Sequence, residues 1–199
     1  MNGYKKSGML WLWTGQKRNL TCFIKGAIVI VYSGIRISVR KDEVALDDGR
    51  KVMREVVDHP GSAAIIPFIA NDEILLIKQY RYAVNETIYE IPAGTLDEGE
   101  TFFECANREL EEETGYKAGI LTPLSVIYPS PGILNETMHL YKATNLIKTK
   151  TNHQADESIK GIVAIKVKEA SEMIKRGEIK DAKTVCCILM TISGVHVFK

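Results

Sequence analysis

Gly94-Thr-Leu-Asp-Glu-Gly-Glu100-Thr-Phe-Phe-Glu-Cys-Ala-Asn-Arg108-Glu-Leu-Glu-Glu-Glu-Thr-Gly-Tyr116 is the stretch on which the fold turns. Thr101-x-x-Glu104 is a capping box, in which each side chain satisfies a backbone N–H that a helix start leaves unpaired. It predicts a helix over 101–114, with Phe103, Ala106 and Leu110 recurring on the core face. Gly115 stands at the C-terminal cap, where a left-handed residue is needed. Four carboxylates, Glu109, Glu111, Glu112 and Glu113, crowd the end of this helix. Glu109 and Glu113 are four apart and share a face, with Glu112 beside them. Like charges at that spacing cost a helix roughly 0.2–0.5 kcal/mol per pair. Arg108 and a hard divalent cation such as Mg²⁺ are the groups that would offset this, a solvated acidic face being the plain alternative.

Working outward, strands flank the helix on both sides. Ile35–Arg40 alternates apolar and polar residues, and Asp48-Gly49 is a hairpin signal between this region and Lys51–Val57. Ala63–Ala70, Ile74–Gln79 and Thr87–Ile91 read as strands, the last ended by Pro92-Ala93-Gly94. After the helix, Leu121–Tyr128 and Thr137–Ala143 read as strands around the turn Pro129-Ser-Pro-Gly132. A polar loop spans 147–158, a strand Ile162–Val167, and helices Glu169–Arg176 and Lys180–Leu189. The order implies a mixed sheet with helices packed on it, an α/β (α+β) fold.

Composition excludes several function classes. With 26 Lys+Arg against 25 Asp+Glu the net charge is +1, which gives no electrostatic footprint for nucleic acid or a membrane surface. The longest early apolar run, Gly26–Tyr32, is far short of the roughly 20 residues of a membrane helix. Lys5-Lys6 ahead of 9–13 suggests a signal peptide, but the apolar run is too short and lacks a cleavage site. Four cysteines, Cys22, Cys105, Cys186 and Cys187, form no CxxC pair, so a reducing, cytoplasmic setting is expected. Any function must reside in a local site.

The acidic helix is the centre of a longer pattern: Gly94, five residues, Glu100, seven residues, Arg108-Glu109, aliphatic Leu110, one residue, Glu112-Glu113, one residue, Gly115 and aromatic Tyr116. At every fixed position this resembles the signature of the Nudix hydrolases. The resemblance implies an α/β/α sandwich with a mixed sheet and a loop–helix–loop metal motif. It implies hydrolysis of a nucleoside diphosphate linked to another moiety, with Mg²⁺ (Mn²⁺ as the alternative) as cofactor. By position, Glu109 and Glu113 would be the main metal ligands, with Glu112 and the carbonyl of Ala93 added. Arg108 would orient the carboxylates, and Glu100 would support the helix or reach a metal through water. Gly94 is expected to allow a sharp backbone turn at the site.

Flanking residues resemble the ADP-ribose pyrophosphatase subfamily. Pro131 lies 16 residues after Gly115, and His59-Pro-Gly61, Lys78-Gln-Tyr-Arg81, Glu90-Ile-Pro-Ala-Gly94 and Ala155-Asp-Glu157 point the same way. The subfamily implies that Arg81, and less directly Arg54, would contact the substrate, guanidinium groups being suited to phosphate. Pro131 would mark the substrate side, and Glu136 would accept a ribose hydroxyl. Glu157, with Asp156 second, would be the general base. The products from ADP-ribose would be AMP and ribose 5-phosphate.

The expected organisation is an N-terminal extension over 1–30, a Nudix domain over 31–190 and a tail over 191–199. Strands within 31–58 would lie at the contact of a homodimer. Two other functions fit the motif: hydrolysis of another nucleotide sugar or dinucleotide, and a non-catalytic ADP-ribose-binding regulator. The complete set of acids and the lack of room for a basic helix-turn-helix weigh against the regulator.

Overall fold

A computed structural model of the chain describes residues 25–35, 37–149 and 159–195. The segment before Lys25, Asp156, Glu157 and the last four residues lie outside that set. Strands β1 (Lys25–Ser33), β2 (Ser38–Ala45) and β3 (Lys51–Asp58) form an antiparallel three-stranded sheet. The Asp48-Gly49 turn joins the last two, with Gly49 at φ 83°. The first strand starts inside the expected 1–30 extension, and Ile35 belongs to the β1–β2 turn rather than to a strand.

The main sheet contains β4 (Ser62–Ala70), β5 (Glu73–Arg81), β6 (Glu86–Glu90), β7 (Ala93–Thr95), β9 (Ile120–Ile127), β10 (Met138–Thr144) and β12 (Ile159–Lys166). Its path runs β12-β5-β4-β10-β9, with β6 on β5 and β7 on β4. The β4–β10 pair is parallel and its neighbours antiparallel, so the sheet is mixed as expected. A small clasp pairs β8 (Tyr116–Lys117) with β11 (Ile147–Lys148).

Both faces of β4 are buried, and its period of two divides the core. Ala64, Ile66 and Phe68 face helices α2 (Val167–Lys175) and α3 (Ala182–Ser193). Ala63 and Ile65 face helix α1 (Phe102–Thr114) through Cys105, Ala106 and Leu110. The result is the α/β/α sandwich. Helix α3 runs to Ser193, so the first residues assigned to a tail are helical. The N-terminal sheet meets this body at a parallel bridge, Val57 to Leu134, and the His59 N–H donates to Asn135 Oδ1 at 2.8 Å.

Candidate active site

Helix α1 is held at both ends as its sequence dictates. Thr101 Oγ1 accepts from the Glu104 N–H at 3.2 Å, and the Thr101 N–H donates to Glu104 Oε2 at 2.9 Å. At the other end Gly115 adopts φ 73° and donates to the Glu111 carbonyl at 2.8 Å. The core face takes Ala106 and Leu110 as expected, but its first member is Phe102 instead of Phe103. Phe103 is 51% exposed, whereas Phe102 packs inward and stacks on His139 with ring centroids 3.6 Å apart. That phase puts Glu109 and Glu113 on the buried face, 4% and 0% exposed.

The two carboxylates rest against β7, a segment that Pro92-Ala93-Gly94 predicts as a strand end. Pro92 does end β6, but Ala93–Thr95 re-enters the sheet and pairs with Ser62–Ala64 on β4. The Ala93 N–H donates to Glu113 Oε2 at 2.9 Å. Gly94 lies flat against Glu109: a Cβ there would stand 1.8 Å from Glu109 Oε1. Its φ is not in the left-handed region, so a sharp turn is not why glycine stands here. Room for a carboxylate is.

Arg108 ties the acids together. Its Nε and Nη2 each meet Glu100 at 2.8 Å, and its Nη1 lies 2.6 Å from Glu109 and 3.2 Å from Glu112. Nη2 also donates to the Thr95 carbonyl at 3.2 Å. The hydrogen bonds to Glu100, with the charge of Glu109, outweigh burial and raise the Arg108 pKa, so the guanidinium stays charged. Glu100 is correspondingly lowered, mainly by Arg108. Cys105, beneath this cluster, donates to the Gly94 carbonyl at 3.5 Å, and burial followed by the charges of Glu109 and Glu100 pushes its thiol up to about 12.

A cavity of about 390 Å³ opens over these groups. Ala93, Gly94, Arg108 and Glu109 line it, together with Arg81 and Glu136. Glu136 is 8% exposed and accepts from Ser62 Oγ at 2.5 Å, with His59 Nδ1 3.9 Å away. Arg81 forms a two-pronged ion pair with Glu90, at 2.6 and 2.8 Å. Arg54 and Pro131 are exposed and stand outside the cavity lining, Arg54 donating to the Met53 carbonyl at 3.2 Å. Several further lining residues carry no site signal in the sequence, among them Ile35, Ser62 and Lys183. Ile35 comes from the β1–β2 turn, Ser62 from the start of β4 and Lys183 from the first turn of α3. The Asp181-x-x-Thr184 N-cap pattern could have located that turn, but nothing in it marks Lys183 as inward-facing.

The oxygen donors of Glu109, Glu112 and Glu113 suit a hard divalent cation. Glu109 against a glycine that no side chain could replace without displacing it is a cradle consistent with such a group. Among the described residues no three acidic, His or Cys side chains yet converge in ligating geometry, and Arg108 reaches Glu109 and Glu112.

Comparison with known proteins fits this geometry. The family model for the NUDIX domain matches residues 58–186. An ADP-ribose pyrophosphatase of Bacillus subtilis (strain 168) is 36% identical over 159 residues, 79% of this chain and 86% of the relative. A methanol dehydrogenase activator of Bacillus methanolicus is 37% identical over 159 residues, with the same coverage of 79% and 86%. A solved ADP compounds hydrolase superposes with a TM-score of 0.76 at 20% identity, covering 86% of this chain and 93% of that one, and so shares the fold.

Proposed function

The chain belongs to the Nudix family, and on that premise we propose that it hydrolyses the diphosphate bond of ADP-ribose, or of a related nucleoside diphosphate sugar, to AMP and ribose 5-phosphate. The observation that carries this reading is the seating of Glu109 on Gly94 and Glu113 on Ala93 beside a cavity that also holds Arg81 and Glu136. The 36% identity to an ADP-ribose pyrophosphatase supports the substrate.

Glu109, Glu112, Glu113 and the Ala93 carbonyl would hold a divalent cation, Mg²⁺ by the hardness of its oxygen ligands, with Mn²⁺ as the alternative. Such a cation would supply charge neutralisation at the diphosphate and make water a better nucleophile. Arg108 keeps Glu109 and Glu112 oriented from one side while its own charge is fixed by Glu100. Arg81 binds the diphosphate, and Glu136 accepts a ribose hydroxyl. Glu157 takes the proton of the attacking water. Pro131 shapes the turn that leads to Glu136.

The unit that carries this activity is the Nudix domain, whose bounds the described elements widen from 31–190 to run from β1 at Lys25 to the end of α3 at Ser193. A homodimer formed through the N-terminal sheet completes the reading. Ile28, Val29, Ile30, Val31 and Tyr32 are each about half exposed or more, a contiguous apolar strand of the kind that marks an interface. Arg54, on the same sheet, then serves the neighbouring subunit. Free Cys105, Cys186 and Cys187 support a reducing, cytoplasmic setting.

The test is hydrolysis of ADP-ribose, other ADP-, UDP- and GDP-sugars, NADH and diadenosine polyphosphates with Mg²⁺, with EDTA and Glu113→Gln as controls. ADP-ribose preference with AMP released, lost in both controls, is the expected result. Preference for another compound overturns the substrate, and ADP-ribose binding without turnover of anything overturns the enzyme.

A further inference from the structure

We propose that Glu90 is a positioning residue that fixes two cations, Arg81 and Lys183, along one wall of the cavity so that their charge faces a bound diphosphate. The inference rests on the reading of this cavity as a diphosphate site and deepens it. Arg81 ends β5, Glu90 ends β6 and Lys183 lies in the first turn of α3, so the trio joins three elements. Glu90 is 1% exposed. A carboxylate buried so deeply is strongly destabilising unless it is paired. Arg81 takes both of its oxygens and Lys183 Nζ meets Oε2. Burial would raise the Glu90 pKa, but the Arg81 hydrogen bonds and the Lys183 charge outweigh it and hold the carboxylate ionised.

The direction of these pairs is what matters. Arg81 and Lys183 line the cavity and Glu90 does not. Each ion pair is therefore a dipole with its positive end at the cavity wall. The anchoring is rigid. Lys183 Nζ also donates to Asp181 at 3.0 Å, Asp181 caps α3 through the Thr184 N–H at 3.0 Å, and Thr184 Oγ1 accepts from the Ile91 N–H at 2.9 Å. An ammonium has three donors, and Glu90 and Asp181 engage two. The third serves the anion, as does the edge of the Arg81 guanidinium turned away from Glu90. Without Glu90 the two like charges would have no common anchor and would splay apart.

The experiment uses the full chain as wild type, Glu90→Gln, Lys183→Met and the double variant. Binding of inorganic pyrophosphate in Mg²⁺ is measured by calorimetry, and KM and kcat for ADP-ribose by product release. Each single change should weaken pyrophosphate about tenfold and raise KM by a similar factor, leaving kcat within about threefold. Because Glu90 acts through Lys183, the double variant should be weaker than wild type by less than the product of the two single factors. Pyrophosphate affinity within about twofold of wild type in folded Glu90→Gln, or factors that multiply, overturns the proposal. Should Glu90→Gln not fold, Lys183→Met decides alone, and unchanged affinity there overturns it. Wild type that binds no pyrophosphate also overturns it. Wild type that leaves ADP-ribose intact but loses pyrophosphate in the variants removes the substrate reading and keeps this one.

Discussion

Replacing Gly94 by alanine places a methyl group where the Glu109 carboxylate now lies. The new Cβ would stand 1.8 Å from Oε1, 2.0 Å from Cδ and 2.5 Å from Oε2, against ordinary contacts of 3.4 Å or more. The backbone can accept alanine, since Gly94 has no left-handed φ. The carboxylate must therefore retreat by roughly 1.5 Å, dragging on the 2.6 Å contact with Arg108. A displacement of about 1 Å at a reacting centre can cost 10²-fold. Gly94→Ala is expected to lower kcat/KM for ADP-ribose at least about 100-fold and to raise the Mg²⁺ concentration needed for half activity, with a melting temperature lowered by only a few degrees. Initial rates across a Mg²⁺ titration, beside a thermal melt, measure all three. Glu109→Asp in the same chain shortens the acid by one methylene and should recover melting temperature without recovering rate. Gly94→Ala with activity within about threefold of wild type would refute the reasoning, because Glu109 would then not be needed where the structure puts it.

Thr101→Ala removes the N-cap oxygen of α1 while Glu104 keeps its backbone bond, and a loss of about 2–4 °C in melting temperature is expected by calorimetry, with kcat little changed. Cys105, with its thiol near 12, should resist iodoacetamide at about pH 8 while the chain is folded, whereas half-buried Cys186 reacts, as peptide mapping by mass spectrometry will read; rapid native labelling of Cys105 would contradict its burial. Acid should destabilise the fold in a defined window. The folded pKa values of Glu90 and Glu100 lie below their ordinary 4.5, so the stability they contribute is complete above that value and is lost as pH falls through the lower folded values. Urea midpoints should hold down to about pH 4.5 and then drop, and a flat profile to about pH 3 would count against both ion pairs.

Helix α1 is legible because its signals are local. Thr101, Glu104 and Gly115 each act within a few residues, and the structure uses all three as read. Ala106 and Leu110 lie on the core face as read, but at the start of the stripe two adjacent phenylalanines fit equally well, and only His139 on β10 selects Phe102 over Phe103. Strand β7 was hidden for a different reason. Pro92 and Gly94 are breakers by propensity, yet Ala93–Thr95 is held by pairing with a strand some thirty positions earlier. The same limit explains Lys183. A lysine two residues after a helix cap reads as solvated, and only the packing of α3 against the end of β6 turns it toward Glu90. Arg81 was read as substrate-facing, and it does line the cavity, but its buried counter-ion nine residues on is a property of the β5–β6 hairpin.

Ile35 gives the N-terminal sheet a share in the cavity, while among the described residues that sheet joins the body through Val57, Asp58, His59 and their partners in the 133–135 turn. The molecule thus divides its labour between two parts under unequal constraint. Residues around Glu109 are interlocked, so that a change at one position demands changes at several others. Among the described residues, the β1–β2 turn takes part in none of those contacts. Mutation there can alter what fits at the cavity mouth while leaving the hydrolytic machinery untouched, so that part of the chain is where new substrate preferences can arise at the lowest risk to folding.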